Sequence, residues 1–132
     1  FWWDRALNFE GETGPYVQYA HTRCCSVLAK APALDAARAD FSALNDESSA
    51  ELITLLENFP QIVADAAQKY EPSVITRYCA ALAQSYNKFY FENRIIGTDE
   101  GVMQARLLAT KCTRDVIKTA LGLLGIDAPE KM

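Results

Sequence analysis

The sequence predicts an all-α fold, a bundle of amphipathic helices joined by short links. Apolar residues recur at three- and four-residue steps over several long stretches, which is the period of a helix with one buried face. The six glycines and five prolines are few and fall at the apparent boundaries between those stretches. No stretch shows the apolar–polar alternation that is typical of a half-buried strand.

The first predicted helix runs from about residue 15 to residue 30. Pro15 suits its first turn, because the N–H that proline lacks has no helical partner there, and Pro32 ends the pattern. Residues 32–46 are rich in alanine and aspartate and predict only a short helical piece.

Two further helices are predicted on either side of Pro60. The first begins at Ser48 or Ser49, after a cluster of capping residues, and the second ends near Tyr70. We expect Pro60 to separate them, because proline removes one helical hydrogen bond and clashes with the preceding turn.

The last two helices are predicted at about 72–92 and 102–124. The former has a notably aromatic C-terminal half, and Gly125 is expected to end the latter. Residues 93–101 lie between them and predict a loop.

The first helix carries a polar aromatic side next to its apolar side. At 100° per residue, Tyr16, Tyr19 and Arg23 cluster together. The apolar side holds Val17, Ala20, Cys24, Val27 and Leu28. Phenols and a guanidinium together can stack on and pair with unpaired nucleotide bases. Spacing alone favours a plainer interpretation, in which the tyrosines cover the core edge and the arginine meets a carboxylate.

A second aromatic patch and a basic face lie later in the chain. Tyr86 and Tyr90, one turn apart, could also stack on bases, although aromatic residues at helical spacing usually belong to the core. The last predicted helix carries three cations spaced three and four residues apart: Lys111, Arg114 and Lys118. These cations either contact phosphate or form a solvated helix face, and the spacing favours the solvated face.

The composition is that of one globular domain of 132 residues with a net charge of −4. The first 66 residues hold four basic and ten acidic residues, and the remaining 66 hold nine basic and seven acidic residues. The more basic second half is compatible with binding of an anionic partner at that part of the surface, but it does not by itself predict such a partner. No apolar run is long enough to span a bilayer. The start at Phe1, in mid-pattern, predicts a fragment in which residues 1–14 lead in from a preceding domain.

No set of residues predicts a catalytic or metal site. The four cysteines form no C-x-x-C pair, and a zinc site is not expected; free buried thiols indicate a reducing, cytoplasmic location. His21, the only histidine, is expected to be a packing residue. Cys24 or Cys25 could pair with it as a nucleophile, but one helix provides no orienting group or oxyanion hole.

Four stretches resemble arginyl-tRNA synthetases. Residues 9–23, FEGETGPYVQYAHTR, closely resemble that family's junction between the catalytic core and the C-terminal anticodon-binding domain. Residues 123–132, LLGIDAPEKM, resemble its terminus, although arginine is commoner there at position 131. Residues 82–90, LAQSYNKFY, are similar to its aromatic helix, and residues 105–107, ARL, to the start of its last helix. Residues 32–70 carry no distinctive match.

The resemblance implies that residues 15–132 are an all-helical anticodon-binding domain of the class I synthetase type. It implies a preference for cytosine at the middle anticodon position. It also implies RNA contacts by six residues: Tyr16, Tyr19, Arg23, Tyr86, Tyr90 and Met132. The carboxylate of Met132 is implied to lie close to the anticodon pocket, and the loop 93–101 to reach toward the stem-loop.

The resemblance also implies the partners. The full-length enzyme would join arginine to its tRNA using ATP with magnesium, bound by a catalytic domain of the same chain that is absent here. The fragment itself would then hold no catalytic residue, cofactor or metal. A cytoplasmic monomer without membrane contact is expected.

A different class of function remains open beside this one. The same aromatic faces could dock another protein, which would make the chain a helical protein–protein interaction module. If the four tyrosines line one concave surface with Arg23, base recognition is favoured. If all four are fully buried, their role in RNA binding is contradicted.

Overall fold

The computed structural model describes residues 14–132, and most of the predicted lead-in at 1–14 lies outside them. The described chain contains four long helices: α1 (Gly14–Lys30), α2 (Glu47–Lys69), α3 (Ser73–Glu92) and α4 (Glu100–Leu123). Two short 3₁₀ turns, Ala36–Arg38 and Phe41–Ala43, lie between α1 and α2. No strand occurs in this part of the chain, so the predicted all-α fold is confirmed.

Helices α1 and α4 pack side by side in opposite directions. The side chain of Gln104, near the start of α4, donates to Ala33 O just beyond the end of α1. Gln18, near the start of α1, donates to Asp127 O just beyond the end of α4. The buried side of α1 is the one that periodicity predicts, and it contributes to the core Val17, Ala20, Cys24 and Val27.

Helix α2 is continuous through Pro60, so the predicted break there is wrong. The lost hydrogen bond and the ring clash are local costs of about 3 kcal/mol. These costs are offset by tertiary packing. Helix α2 packs along α3 and also contacts α4, and burial of its apolar side keeps the helix continuous. The helix ends as predicted, with Tyr70 in the left-handed conformation at φ 54°.

The link between α1 and α2 is tied down over the start of α4. Asp35 N donates to Gln104 Oε1 at 2.7 Å, and Asp40 N donates to Gly101 O at 3.0 Å. A side chain at Gly101 would lie 3.1 Å from Asp40 Cβ, so glycine permits this close approach. The link therefore forms two 3₁₀ turns where the sequence predicts a short helical piece.

The remaining boundaries match the predictions within two residues. Helix α3 starts directly after Pro72, and the loop that follows spans residues 93–99. Gly125, at φ 74°, ends α4 as predicted, and Ile126 N closes the turn onto Leu121 O. Of the helices in residues 14–132, none is both long and apolar enough to cross a membrane.

Candidate functional site

The Arg23 guanidinium is packed among three aromatic rings at the surface of the bundle. Its Cζ lies 5.1 Å from the ring centre of Tyr19, 4.7 Å from that of Tyr90 and 5.0 Å from that of Phe91. Tyr19 is placed one turn before Arg23 on α1, and the other two rings come from the end of α3. A planar cation beside π faces forms a rigid stacking surface.

Asn87 on α3 also orients this cation. Arg23 Nη1 donates to Asn87 Oδ1 at 2.7 Å, and Asn87 Nδ2 donates to the hydroxyl of Tyr16 at 2.9 Å. The plainer interpretation of the sequence placed a carboxylate against Arg23. Within residues 14–132 the partner is a neutral amide instead, so no ion pair neutralises the guanidinium there.

A surface cavity of about 360 Å³ lies next to the guanidinium. Its walls come from α1, the end of α3, the loop that follows and the last residue of the sequence: Tyr19, Thr22, Arg23, Ser26, Val27, Lys30, Tyr90, Ile95, Ile96 and Met132. A second cavity of about 500 Å³ shares Thr22, Ser26, Lys30 and Met132 with it and continues toward Lys131. We call the first the base cavity and the second the tail cavity.

The structure brings together four of the six predicted site residues at the base cavity: Tyr19, Arg23, Tyr90 and Met132. Tyr19 is 50% exposed and Met132 62% exposed, so both can meet a ligand. Tyr16 is partly buried and reaches the site through Asn87. Its predicted RNA contact stays a prediction.

The prediction for Tyr86 is wrong, because its ring is fully buried and cannot stack on a base. Its hydroxyl lies 3.2 Å from Thr110 Oγ1 on α4, and burial raises its pKa above the usual value. The ring centre lies 6.4 Å from that of Tyr90, on the core side. Tyr86 therefore supports the ring of Tyr90 from the core, and of these two tyrosines only Tyr90 lines the base cavity.

Several residues of the site were missed by sequence reasoning. Asn87 lies three residues before Tyr90, so helical spacing could have placed it beside the predicted patch. Phe91, which is 73% exposed, lies in the aromatic C-terminal half of the helix predicted at 72–92. No local signal marks Ile95 and Ile96, because the loop brings them to the cavity.

The basic face of α4 is largely paired with its own helix. Asp115 accepts from Lys111 at 2.7 Å and from Arg114 at 3.0 Å. Burial alone would raise the pKa of Asp115, but these two cations outweigh it and lower that pKa. This arrangement favours the solvated-face interpretation over phosphate binding for Lys111 and Arg114.

The thiols near His21 are poorly suited to nucleophilic catalysis. Burial raises the pKa of Cys24 to about 12, and burial also raises the pKa of Cys25. Both are therefore protonated at neutral pH, whereas the reactive form is the thiolate. Cys25 Sγ lies 3.8 Å from His21 Nδ1, which is itself held by a backbone carbonyl.

Comparisons with known proteins give one consistent family. The model of the DALR anticodon binding domain matches residues 17–132. The chain is 47% identical over 132 residues to an arginine–tRNA ligase of Halothermothrix orenii, covering all of this chain and 23% of the relative. It is 44% identical over 140 residues to that of Pyrococcus furiosus, covering 22% of it.

Solved structures agree. Thermus thermophilus arginyl-tRNA synthetase superposes with a TM-score of 0.89 at 37% identity, over all of this chain and 23% of that one. The Plasmodium falciparum arginyl-tRNA synthetase, at 23% identity, shares the fold with a TM-score of 0.81, over all of this chain and 23% of that one. The chain thus spans about a quarter of the length of the relatives it matches.

Proposed function

Because the chain belongs to the DALR anticodon binding domain family, we propose that residues 15–132 are the part of an arginine–tRNA ligase that binds the anticodon loop of the arginine tRNA. The observation that carries this proposal is the base cavity, where the Arg23 guanidinium lies beside aromatic rings and, within residues 14–132, is bonded to a neutral amide rather than to a carboxylate.

The base cavity has the chemistry that an unstacked base requires. Bases of a loop must leave their stack to be read, and aromatic faces or a guanidinium plane replace the lost stacking. Each base–aromatic stack contributes about 1–3 kcal/mol. Tyr19 and Tyr90 supply such faces, Arg23 supplies donors, and Tyr16 holds the amide that orients Arg23.

The acidic balance of the chain is compatible with this role. A net charge of −4 disfavours a broad field that attracts phosphates, but reading a base edge depends on fixed donors and stacking faces. Arg23 and Lys30 provide local positive charge at the base cavity itself. Recognition of the anticodon bases therefore depends on this cavity more than on the net charge of the chain.

The catalytic role belongs to the natural protein rather than to the residues described. That protein would ligate arginine to its tRNA with ATP and magnesium, using a catalytic domain of the same chain as its partner. Residues 14–132 contain no group of His, Cys, Asp or Glu that could hold a metal ion. The magnesium and ATP would be bound by that catalytic domain, in a monomeric protein of the cytoplasm, away from membranes.

Charging of the arginine tRNA by the natural protein tests the proposal. Tyr19→Ala should raise the KM for the tRNA about tenfold, within the range expected for one lost stack. A tRNA whose anticodon has been exchanged should be charged poorly by the wild type. Tyr70→Ala is the matched control, because Tyr70 is 92% exposed at the opposite end of α3.

Equal charging of the tRNA with the exchanged anticodon would overturn the proposal. The alternative of a protein–protein interaction module predicts that Tyr19→Ala leaves tRNA charging unchanged. It also predicts no difference between an anticodon stem-loop and a hairpin with a scrambled loop in a binding titration.

A further inference from the structure

His21 is a buried polar residue that the base cavity does not use directly. It is 1% exposed, and its Nδ1 lies 2.9 Å from Pro129 O in the segment after α4. A carbonyl oxygen only accepts, so Nδ1 must carry the hydrogen of this bond. The sequence predicts that His21 is a packing residue, whereas in the structure it is also hydrogen-bonded to a residue 108 positions later in the chain.

Two neighbours on the same side of α1 hold the same segment. Gln18 Nε2 donates to Asp127 O at 2.8 Å, and Thr22 Oγ1 lies 2.9 Å from Pro129 O. Thr22 has a single hydroxyl hydrogen and a second carbonyl, Gln18 O, at 3.1 Å. The hydrogen on His21 Nδ1 is shared less, because the other neighbour of Nδ1 among the described residues is a weak acceptor, Cys25 Sγ at 3.8 Å. We call residues 127–132 the tail.

The tail ends at the base cavity. Met132 lines both the base cavity and the tail cavity. In the described residues, the bonds to Pro129 are the last hydrogen bonds that tie the tail to the bundle. Three residues reach about 10 Å when extended, so an anchor at Pro129 restricts where Met132 can lie.

We propose that His21 is a positioning residue: by binding Pro129 O it holds the tail so that Met132 forms one wall of the base cavity. The part of this inference that concerns RNA rests on the proposed function, whereas the placement of Met132 does not. Without the His21 bond, Pro129 O is held only by the hydroxyl of Thr22, which is shared with Gln18 O, so Met132 shifts and a base loses one of its contact surfaces.

The placement of Met132 can be measured without RNA. In the natural protein, ¹³C-methyl labelling of methionine gives one signal for Met103 on α4 and one for Met132, each assigned by a methionine-to-leucine variant. His21→Ala should move and sharpen the Met132 signal toward that of a free chain and leave the Met103 signal in place. The unchanged Met103 signal also shows that the variant is folded.

A conservative variant separates anchoring from packing. His21→Asn places an amide N–H close to the position of Nδ1 and should restore the Met132 signal, whereas His21→Phe keeps an aromatic ring without the donor and should not. Restoration by Phe and not by Asn would overturn the proposal. So would a Met132 signal that His21→Ala leaves unchanged in a folded chain.

Binding of a synthetic anticodon stem-loop tests the consequence for RNA. His21→Ala and Met132→Ala should each weaken binding about fivefold, the effect expected for one lost contact. The double variant should bind no more weakly than either single variant, because His21 acts through Met132. Additive losses would overturn the positioning role. If the natural protein, with all its domains, does not bind the stem-loop, the proposed function fails, and the methyl signals alone decide whether His21 anchors the tail.

Discussion

Arg23 Nη1 donates a hydrogen bond of 2.7 Å to Asn87 Oδ1, joining the first helix to the end of the third at the edge of the base cavity. The amide holds the guanidinium without cancelling its charge, and its own N–H₂ group is bonded to Tyr16. A carboxylate in the same place would bind Arg23 more strongly but remove its charge from a ligand.

Asn87→Ala should weaken anticodon stem-loop binding about fivefold, since Arg23 loses its orienting bond while water replaces part of it. Asn87→Asp should weaken binding further, because it pairs the cation and adds a negative charge. Titration of the stem-loop at fixed salt measures both. Gln84→Ala is the control, an exposed amide one turn earlier on α3 that does not line the base cavity. Tighter binding by Asn87→Asp would contradict the role given to Asn87.

Tyr86 should affect stability rather than recognition. Tyr86→Phe removes the bond to Thr110 and should lower the free energy of unfolding by about 1 kcal/mol. Tyr86→Ala empties a fully buried site and should cost about 3–5 kcal/mol. Urea unfolding measures both, and Tyr86→Phe should bind the stem-loop like the wild type. A binding defect in Tyr86→Phe at unchanged stability would restore Tyr86 to the site.

Lys30 lies where the base cavity and the tail cavity meet. If a phosphate of the bound loop passes there, Lys30→Gln should reduce the slope of log affinity against log salt by about 0.7 to 1. The slope is obtained from stem-loop titrations at several salt concentrations. Lys69→Gln, at the last turn of α2, should leave the slope unchanged. Equal slopes for both variants would place the phosphates elsewhere.

Asp46 makes the stability of the domain depend on pH. Burial alone would raise its pKa, but hydrogen bonds from Ser48, Ser49 and Asn93 outweigh it and hold the pKa well below the usual value. A lowered folded-state pKa stabilises the fold above the unfolded value of about 3.9, and this stabilisation is lost as the pH falls below it.

Asp46→Asn should therefore lower the free energy of unfolding by about 1 kcal/mol at neutral pH, because an amide offers one acceptor oxygen where the carboxylate uses two to accept from Ser48, Ser49 and Asn93. The difference from the wild type should narrow as the pH falls below about 4. Urea unfolding across that range measures it. Because Asp115, whose pKa is also lowered, is present in both proteins, its contribution cancels. A difference that grows toward acid pH would contradict this account.

The sequence by itself determined the four apolar helix faces, most helix ends and the family. Apolar period and capping residues are local, so they predict α1 to α4 apart from Pro60. The resemblance of residues 9–23 and 123–132 to arginyl-tRNA synthetases is confirmed by the family model over residues 17–132 and by a relative that matches all 132 residues. Tyr19 and Arg23 also meet for a local reason, because residues four apart share a helix side.

The tertiary structure alone decided which tyrosine is available and what completes the cavity. Tyr86 and Tyr90 share one side of α3, and only the packing of α1 and α4 against it buries the first and leaves the second at the surface. Asn87 and Met132 reach Arg23 and the base cavity through contacts between residues far apart in the chain. Helical periodicity describes one helix at a time, whereas these positions depend on how the helices and the tail pack together.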